Sequence, residues 1–349
     1  MTFNTLFFLN FSLIYARTIR TLLNNFQNSC PNSWNYDQLG YDWTGGACDQ
    51  CNGLNQSPIN LQTNSNNNFY LSPEDDPFMA QKIVNEYFLS NKMYDIEVSD
   101  ISHKGDLHAL KVIFKPEIVI KFQSNQNKNS LFHQKCHHAH FHLGTSEHTL
   151  DGRYFDGEMH IVCYDGKFPD VKSVLKEPKG RSNLRVLGFF LRKVNRSTFL
   201  SRQLKDVFFD DRKQITLINR NSWPGSQFLS AFRYYGSLTT PTCNEMVAWT
   251  VFTDPIDIDG NFLQYLKQIT DFSNQKKSNS NLGGKIVVFG NSRALQELNG
   301  REVEVLGGFD GQTNSFVPNN FKNVQVHQED WWSKMMQYLV LEYITNREK

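Results

Sequence analysis

His140, His142 and His160 are the residues of this chain whose type and spacing can do chemistry. They lie in HHAHFHLGTSEHTLDGRYFDGEMHIV, from His137 to Val162. Residues two apart on a strand share a face, so His140 and His142 point the same way. The turn-prone TLDGRYFDG segment leads into GEMHIV, which can return antiparallel and bring His160 alongside. Three neutral imidazoles from two strands make the three-ligand set of a catalytic zinc site, with the fourth position left for water. The plainer reading is a histidine-rich tract that merely scavenges metal. Glu158 and His138 weigh against it. Each lies two residues before a ligand, on that ligand's face, where it can hold the second ring nitrogen.

The same stretch resembles the core of the α-class carbonic anhydrases, whose HxH strand, SEHT segment and ELH strand read here as HFHLG, SEHT and EMH. Further matches are QSPINL (Gln56–Leu61), LHALKV (Leu107–Val112), YYGSLTTP (Tyr234–Pro241), VAW (Val247–Trp249) and NSRALQELNGR (Asn291–Arg301). They cover roughly Trp34 to Val303, in the family's order. The resemblance implies reversible hydration of carbon dioxide to bicarbonate and a proton, through a zinc-bound hydroxide held by His140, His142 and His160. It also implies that Thr239 accepts the hydroxide's proton and donates its own to buried Glu147. Val162, Val186, Leu238, Thr240, Val247 and Trp249 match the pocket that receives carbon dioxide. His108 matches the proton-shuttle histidine, a role suited to a side chain that titrates near neutral pH. Cys51 and Cys243 match the disulfide of secreted members.

Some positions depart from the family pattern. His138 stands where glutamine is usual, Leu143 where tryptophan is usual, and Lys111 adds charge at the cleft rim. The loop between Gly144 and Ser146 is short. Each zinc ligand is kept, which favours an enzyme over the alternative of a carbonic-anhydrase-like structural or interaction subunit of a larger assembly.

These side chains need strands to position them. Apolar runs at Asp106–Phe114, Ile118–Phe122, His138–Leu143, Glu158–Tyr164, Leu184–Leu191, Gln214–Ile218 and Val247–Phe252 read as strands. The implied fold is mainly β (α+β): a large, twisted, mostly antiparallel sheet with short peripheral helices. Ser124–Ser130 and Ser273–Gly284 read as solvated loops, and a short helix is expected around Asp76–Leu89. The organisation is a targeting segment (1–16), a linker (17–33), one catalytic domain (34–303) and a C-terminal extension (304–349). In the extension, Trp332, Met335, Met336, Leu339, Val340 and Tyr343 recur at helical spacing. That helix packs on its own domain, or makes a homo-oligomer or assembly contact.

The net charge of +1 over 349 residues, without a basic stripe, gives no support for nucleic-acid binding. No stretch is long and apolar enough to read as a membrane-spanning helix. Thr5–Ala16 is a short apolar run with a cleavage point after Ala16, so a secretory signal is expected. Arg17 and Arg20, with no acidic residue before Asp37, make a mitochondrial presequence the alternative. Asn55-Gln-Ser and Asn195-Arg-Ser permit glycosylation on the secretory route. Cys30 can pair with Cys48, though sequence does not fix connectivity. CDQC lacks the helical context of a redox CxxC. Cys163 lies three beyond His160, on the opposite face, whereas Cys136 shares the ligands' parity. Bridging those two would need a bulge, so free buried thiols are the expectation.

Overall fold

Strands that alternate side chains between two faces can carry a site on one and a core on the other. The computed structural model describes residues 34, 36, 38–43, 46–63, 68–71, 93–99, 110–123, 131–176, 183–210, 213–218, 230–275 and 290–306. Their strands are β1 (Asn60–Leu61), β2 (Asn68–Leu71), β3 (Tyr94–Ser99), β4 (Leu110–Gln123), β5 (Leu131–Leu143), β6 (Thr149–Leu150), β7 (Gly157–Asp165), β8 (Leu184–Val194), β9 (Gln214–Ile215), β10 (Ala231–Gly236), β11 (Val247–Asp259) and β12 (Val303–Leu306). Ten of them form one sheet in the order β2-β12-β10-β11-β8-β7-β5-β4-β3-β9, and β1 pairs with β6. Within the large sheet, β8–β11 and β2–β12 are parallel and the other pairs antiparallel. This is the mainly β architecture expected.

Register fixes which residues share a face. His140 lies opposite His160, and His142 opposite Glu158. Gly188 on β8 lies opposite His160, and Val186 pairs with Trp249 on β11. That face carries one apolar cluster, including Val162, Val186, Val247 and Trp249. The other face carries a second cluster, with Ala139, Phe141, Met159 and Ile161. Among the described residues three α-helices accompany the sheet, α1 (Val171–Leu175), α2 (Phe199–Phe209) and α3 (Gly260–Gln275), with a 3-10 helix at Gly46–Asn52. Thr198 caps α2 by accepting from the Ser201 N–H, and Asp259 Oδ1 accepts from the Asn261 N–H at the start of α3. Leu200 and Leu204 of α2, with Phe262 and Leu266 of α3, then close the second cluster.

The expected strands differ from the observed ones in places. Ile118–Phe122 and the described part of Asp106–Phe114 are one strand, β4, whose register with β5 shifts between Ile113 and Ile118. Of Gln214–Ile218 only Gln214–Ile215 is paired. Strand β12 runs past Val303 to Leu306, so the sheet takes in the start of the expected extension. Ser273–Gln275 end α3 rather than begin a loop. The remainder of that loop, Ser124–Ser130, the helix at Asp76–Leu89 and the C-terminal helix lie outside the described residues.

The cysteines bring one correction. Cys136 and Cys163 are not free thiols but a disulfide, S–S 2.01 Å. A β-bulge between Cys136 and His138 supplies the extra residue that strict alternation lacks. Cys51 and Cys243 are bonded at 1.98 Å. Cys48 is also disulfide-bonded, while Cys30, its expected partner, lies outside the described residues.

Candidate metal centre

Neutral imidazoles bind metal through a lone pair, so the other ring nitrogen decides which atom offers it. His142 Nδ1 lies 2.7 Å from the carbonyl oxygen of Asn291. A carbonyl only accepts, so Nδ1 carries the proton and Nε2 presents the lone pair. His160 Nε2 lies 2.8 Å from Glu158 Oε1, which leaves its lone pair on Nδ1. His140 Nδ1 lies 3.2 Å from His138 Nε2, leaving His140 Nε2 to face the others.

These ligand atoms lie within 4.8 Å of one another. His160 Nδ1 and His140 Nε2 are 3.2 Å apart, close to the roughly 3.3 Å that a tetrahedral zinc with bonds of about 2.0–2.1 Å requires. His142 Nε2 is buried without a hydrogen-bond partner, although Glu147 Oε2 lies 3.3 Å away. Two lone-pair atoms at 3.2 Å and a buried unpaired nitrogen are unfavourable by themselves. A cation among them removes the cost, so the residues fit zinc.

Electrostatics keep the lone pairs free. Burial pushes His142 down to about 3, with the His160 ring adding to it. Burial, then the neighbouring imidazoles and Lys111, lowers His140 well below the usual histidine range. Burial also lowers His160, against the pull of Glu158. Burial alone would raise the Glu158 carboxyl. Electrostatic attraction to the His148 and His160 rings, together with the hydrogen bonds to them, outweighs it and holds Glu158 well below the usual range.

Glu158 is more heavily bonded than its spacing from His160 suggests. Its Oε2 accepts from the His148 N–H at 2.8 Å, and its Oε1 lies 2.8 Å from His148 Nδ1. His148 Nε2 in turn lies 2.7 Å from the Tyr234 hydroxyl, which is 2.8 Å from Ser57 Oγ. The Trp249 ring closes this side, 4.8 Å from His160 and 4.9 Å from His148.

Thr239 and Glu147 are both buried. Glu147 is raised well above the usual carboxylate range by burial, which is offset in part by a hydrogen bond with Thr239 and one from the Arg293 N–H, 3.0 Å from Oε1. Val162, Val186, Val247 and Trp249 are buried on the histidine face, with Leu238 packed against them and Thr240 half-buried in the turn beyond. That turn is tied by the Leu238 N–H donating to the Asn244 carbonyl and the Cys243 N–H to that of Thr240. His108 lies outside the described residues.

Sequence reasoning passed over Asn291, His148, Tyr234 and Arg293 as members of this constellation. Asn291 holds His142 from 149 residues away, and also accepts from the Leu143 N–H and donates to the Phe141 carbonyl. Arg293 is buried and donates to Gln56 Oε1 and to the Ser57 and Cys51 carbonyls. All four sit in the quoted motifs, but no local periodicity marks them as partners.

The family model of eukaryotic-type carbonic anhydrases matches residues 39–306, and the chain belongs to that family. A carbonic anhydrase of Dunaliella salina is 27% identical over 320 residues, or 86% of this chain and 47% of that protein. The chain thus spans about half the length of that relative. Carbonic anhydrase 4 of Rattus norvegicus is 29% identical over 276 residues, 75% of this chain and 77% of its own. The crystal structure of a halotolerant carbonic anhydrase from Dunaliella salina shares the fold, with a TM-score of 0.53 and 21% identity over 79% of this chain and 99% of that one.

Proposed function

We propose that this chain is a zinc-dependent carbonic anhydrase that interconverts carbon dioxide and bicarbonate. The observation that carries the reading is the convergence of three neutral imidazole lone pairs, each ring held from behind by Asn291, Glu158 or His138. Zinc bound there supplies the Lewis acidity that lets water ionise near neutral pH, an effect for which carbonic anhydrases are the reference case.

The protein's own groups do the rest. Thr239, hydrogen-bonded to Glu147, would orient the nucleophile: its oxygen accepts a hydrogen bond from it while its own hydroxyl donates one to a Glu147 side-chain oxygen. Val162, Val186, Val247 and Trp249 give a substrate without net charge an apolar wall. His108 passes the released proton to buffer. Its replacement by alanine is expected to slow turnover at low buffer concentration, with recovery on adding imidazole and no change in zinc content. The disulfides favour an oxidising compartment, consistent with the secretory route. Among the described residues no helix is long and apolar enough to cross a membrane.

The test is stopped-flow carbon dioxide hydration by purified protein with metal analysis, beside His142→Ala. Stoichiometric zinc and hydration that His142→Ala abolishes are expected. Zinc-loaded protein without hydration above the uncatalysed rate would overturn the reading.

A further inference from the structure

The Cys136–Cys163 bridge takes no part in the chemistry above, yet it joins the two strands that carry all three histidines. Both cysteines are buried, at 0% and 2% exposure, in the cluster on the sheet face opposite the site. They are directly paired in register, with Cα atoms 3.8 Å apart. His140 and His160 are also directly paired, four residues further along β5 but only three back along β7. One residue of β5 must therefore be extra, and it is His137.

The position of that extra residue matters because side chains alternate. Were the bulge to slip toward the start of β5, Cys136 would turn to the histidine face. His137 would turn into the apolar cluster. As the chain stands, His137 Nδ1 lies 2.8 Å from His138 Nδ1, and His138 Nε2 lies 3.2 Å from His140 Nδ1. Slippage would remove the first of these contacts and loosen the residue that orients His140. The bond blocks it by holding Cys136 opposite Cys163.

We infer that the Cys136–Cys163 bridge is a positioning device for the metal: it pins the bulge at His137 and joins the ligand strands, so that zinc affinity depends on it. Cys136 and Cys163 are positioning residues acting through His137, His138 and the strand pair. The inference rests on the zinc-site reading of the three histidines. Partners that orient a ligand are typically worth about 10–100-fold in metal affinity. A loss of about tenfold or more is therefore expected when the bridge is removed.

The experiment measures zinc affinity by competition with a chelator of known affinity, for the wild-type protein and for Cys136→Ala/Cys163→Ala. Weaker binding by about tenfold supports the inference. Equal affinity, even with a lower denaturation midpoint, overturns it and leaves the bridge a purely structural bond. A wild-type protein that binds no zinc overturns the site reading as well.

A second measurement needs no variant, should the double substitution fail to fold. Two glutathione thiols reduce the bridge to the Cys136 and Cys163 thiols and leave one glutathione disulfide. Coupling is reciprocal, so zinc must favour the bridged form by the factor that the bridge favours zinc. Wild-type protein is equilibrated in glutathione buffers with saturating zinc or with chelator, and its thiols are trapped and read by mass spectrometry. A zinc-dependent shift of about tenfold at Cys136–Cys163, larger than at Cys51–Cys243, is expected. Equal ratios with and without zinc, or equal shifts at both bridges, overturn the inference.

Discussion

Glu158 accepts three hydrogen bonds from two histidines and one backbone N–H, all inside the protein. Its charge keeps the His160 proton on Nε2 and the lone pair on Nδ1. Glu158→Gln keeps the volume but loses the charge, and its amide can offer a proton where an acceptor is needed. Zinc affinity should fall about 10–100-fold, as measured by chelator competition. Asp254 gives a residue-scale prediction of another kind. Burial raises its carboxyl from 3.8 to about 6, with Arg192 nearby opposing the rise. The folded protein therefore binds more protons than the unfolded chain between those values. The stabilising contribution is full below pH 3.8, is lost as pH rises through 6, and leaves a cost at neutral pH. Asp254→Asn should raise stability at pH 7.5 relative to pH 5 by about 1–3 kcal/mol, read from denaturant midpoints at both pH values.

Elements position these residues through register, and Gly188 shows how tightly. It faces His160 across the β7–β8 pair. A Cβ there would lie 3.0 Å from Glu158 Oε1 and 3.3 Å from a Val251 methyl. The absence of a side chain on β8 leaves the space in which the Glu158 carboxylate holds the His160 ring. Gly188→Ala should cost about 1–3 kcal/mol in denaturant unfolding, the usual penalty for overpacking, and weaken zinc binding with it. Helices α2 and α3 serve at one remove, covering the opposite face so that the histidine strands are buried on both sides. Neither helix emerged from the apolar runs of the sequence. Their apolar residues meet the sheet only after the chain has turned back, and the caps at Thr198 and Asp259 each rest on one short polar side chain.

Across the whole molecule, the site depends on contacts between segments far apart in the chain. Cys51 and Cys243 are 192 residues apart and tie the turn at Gly46–Asn52 to the loop that carries Thr239. Arg293 reaches the same region through the Cys51, Gln56 and Ser57 contacts, while its backbone N–H meets Glu147. Loss of this disulfide in Cys51→Ala/Cys243→Ala should lower stability by about 2–5 kcal/mol, chiefly by freeing the unfolded chain. Unfolding of the double variant in denaturant, under conditions that keep the wild-type bridge intact, measures the loss.

The clustering of the three histidines was legible because its rules are local. A spacing of two puts His140 and His142 on one face, a short turn returns His160, and Glu158 and His138 share the ligands' parity. The mainly β fold was legible from the same alternation and from motifs standing in the family's order. The partner of His142 was not, since Asn291 arrives from a segment 149 residues away that no periodicity connects to it. The Cys136–Cys163 bond ran against the local rule, because a strict period of two sets those cysteines on opposite faces. One extra residue in β5 brings them together. The sequence by itself determined which side chains could meet a metal. The tertiary structure decided what holds each ring and where alternation breaks, because those depend on strand register and long-range packing rather than on neighbours in the chain.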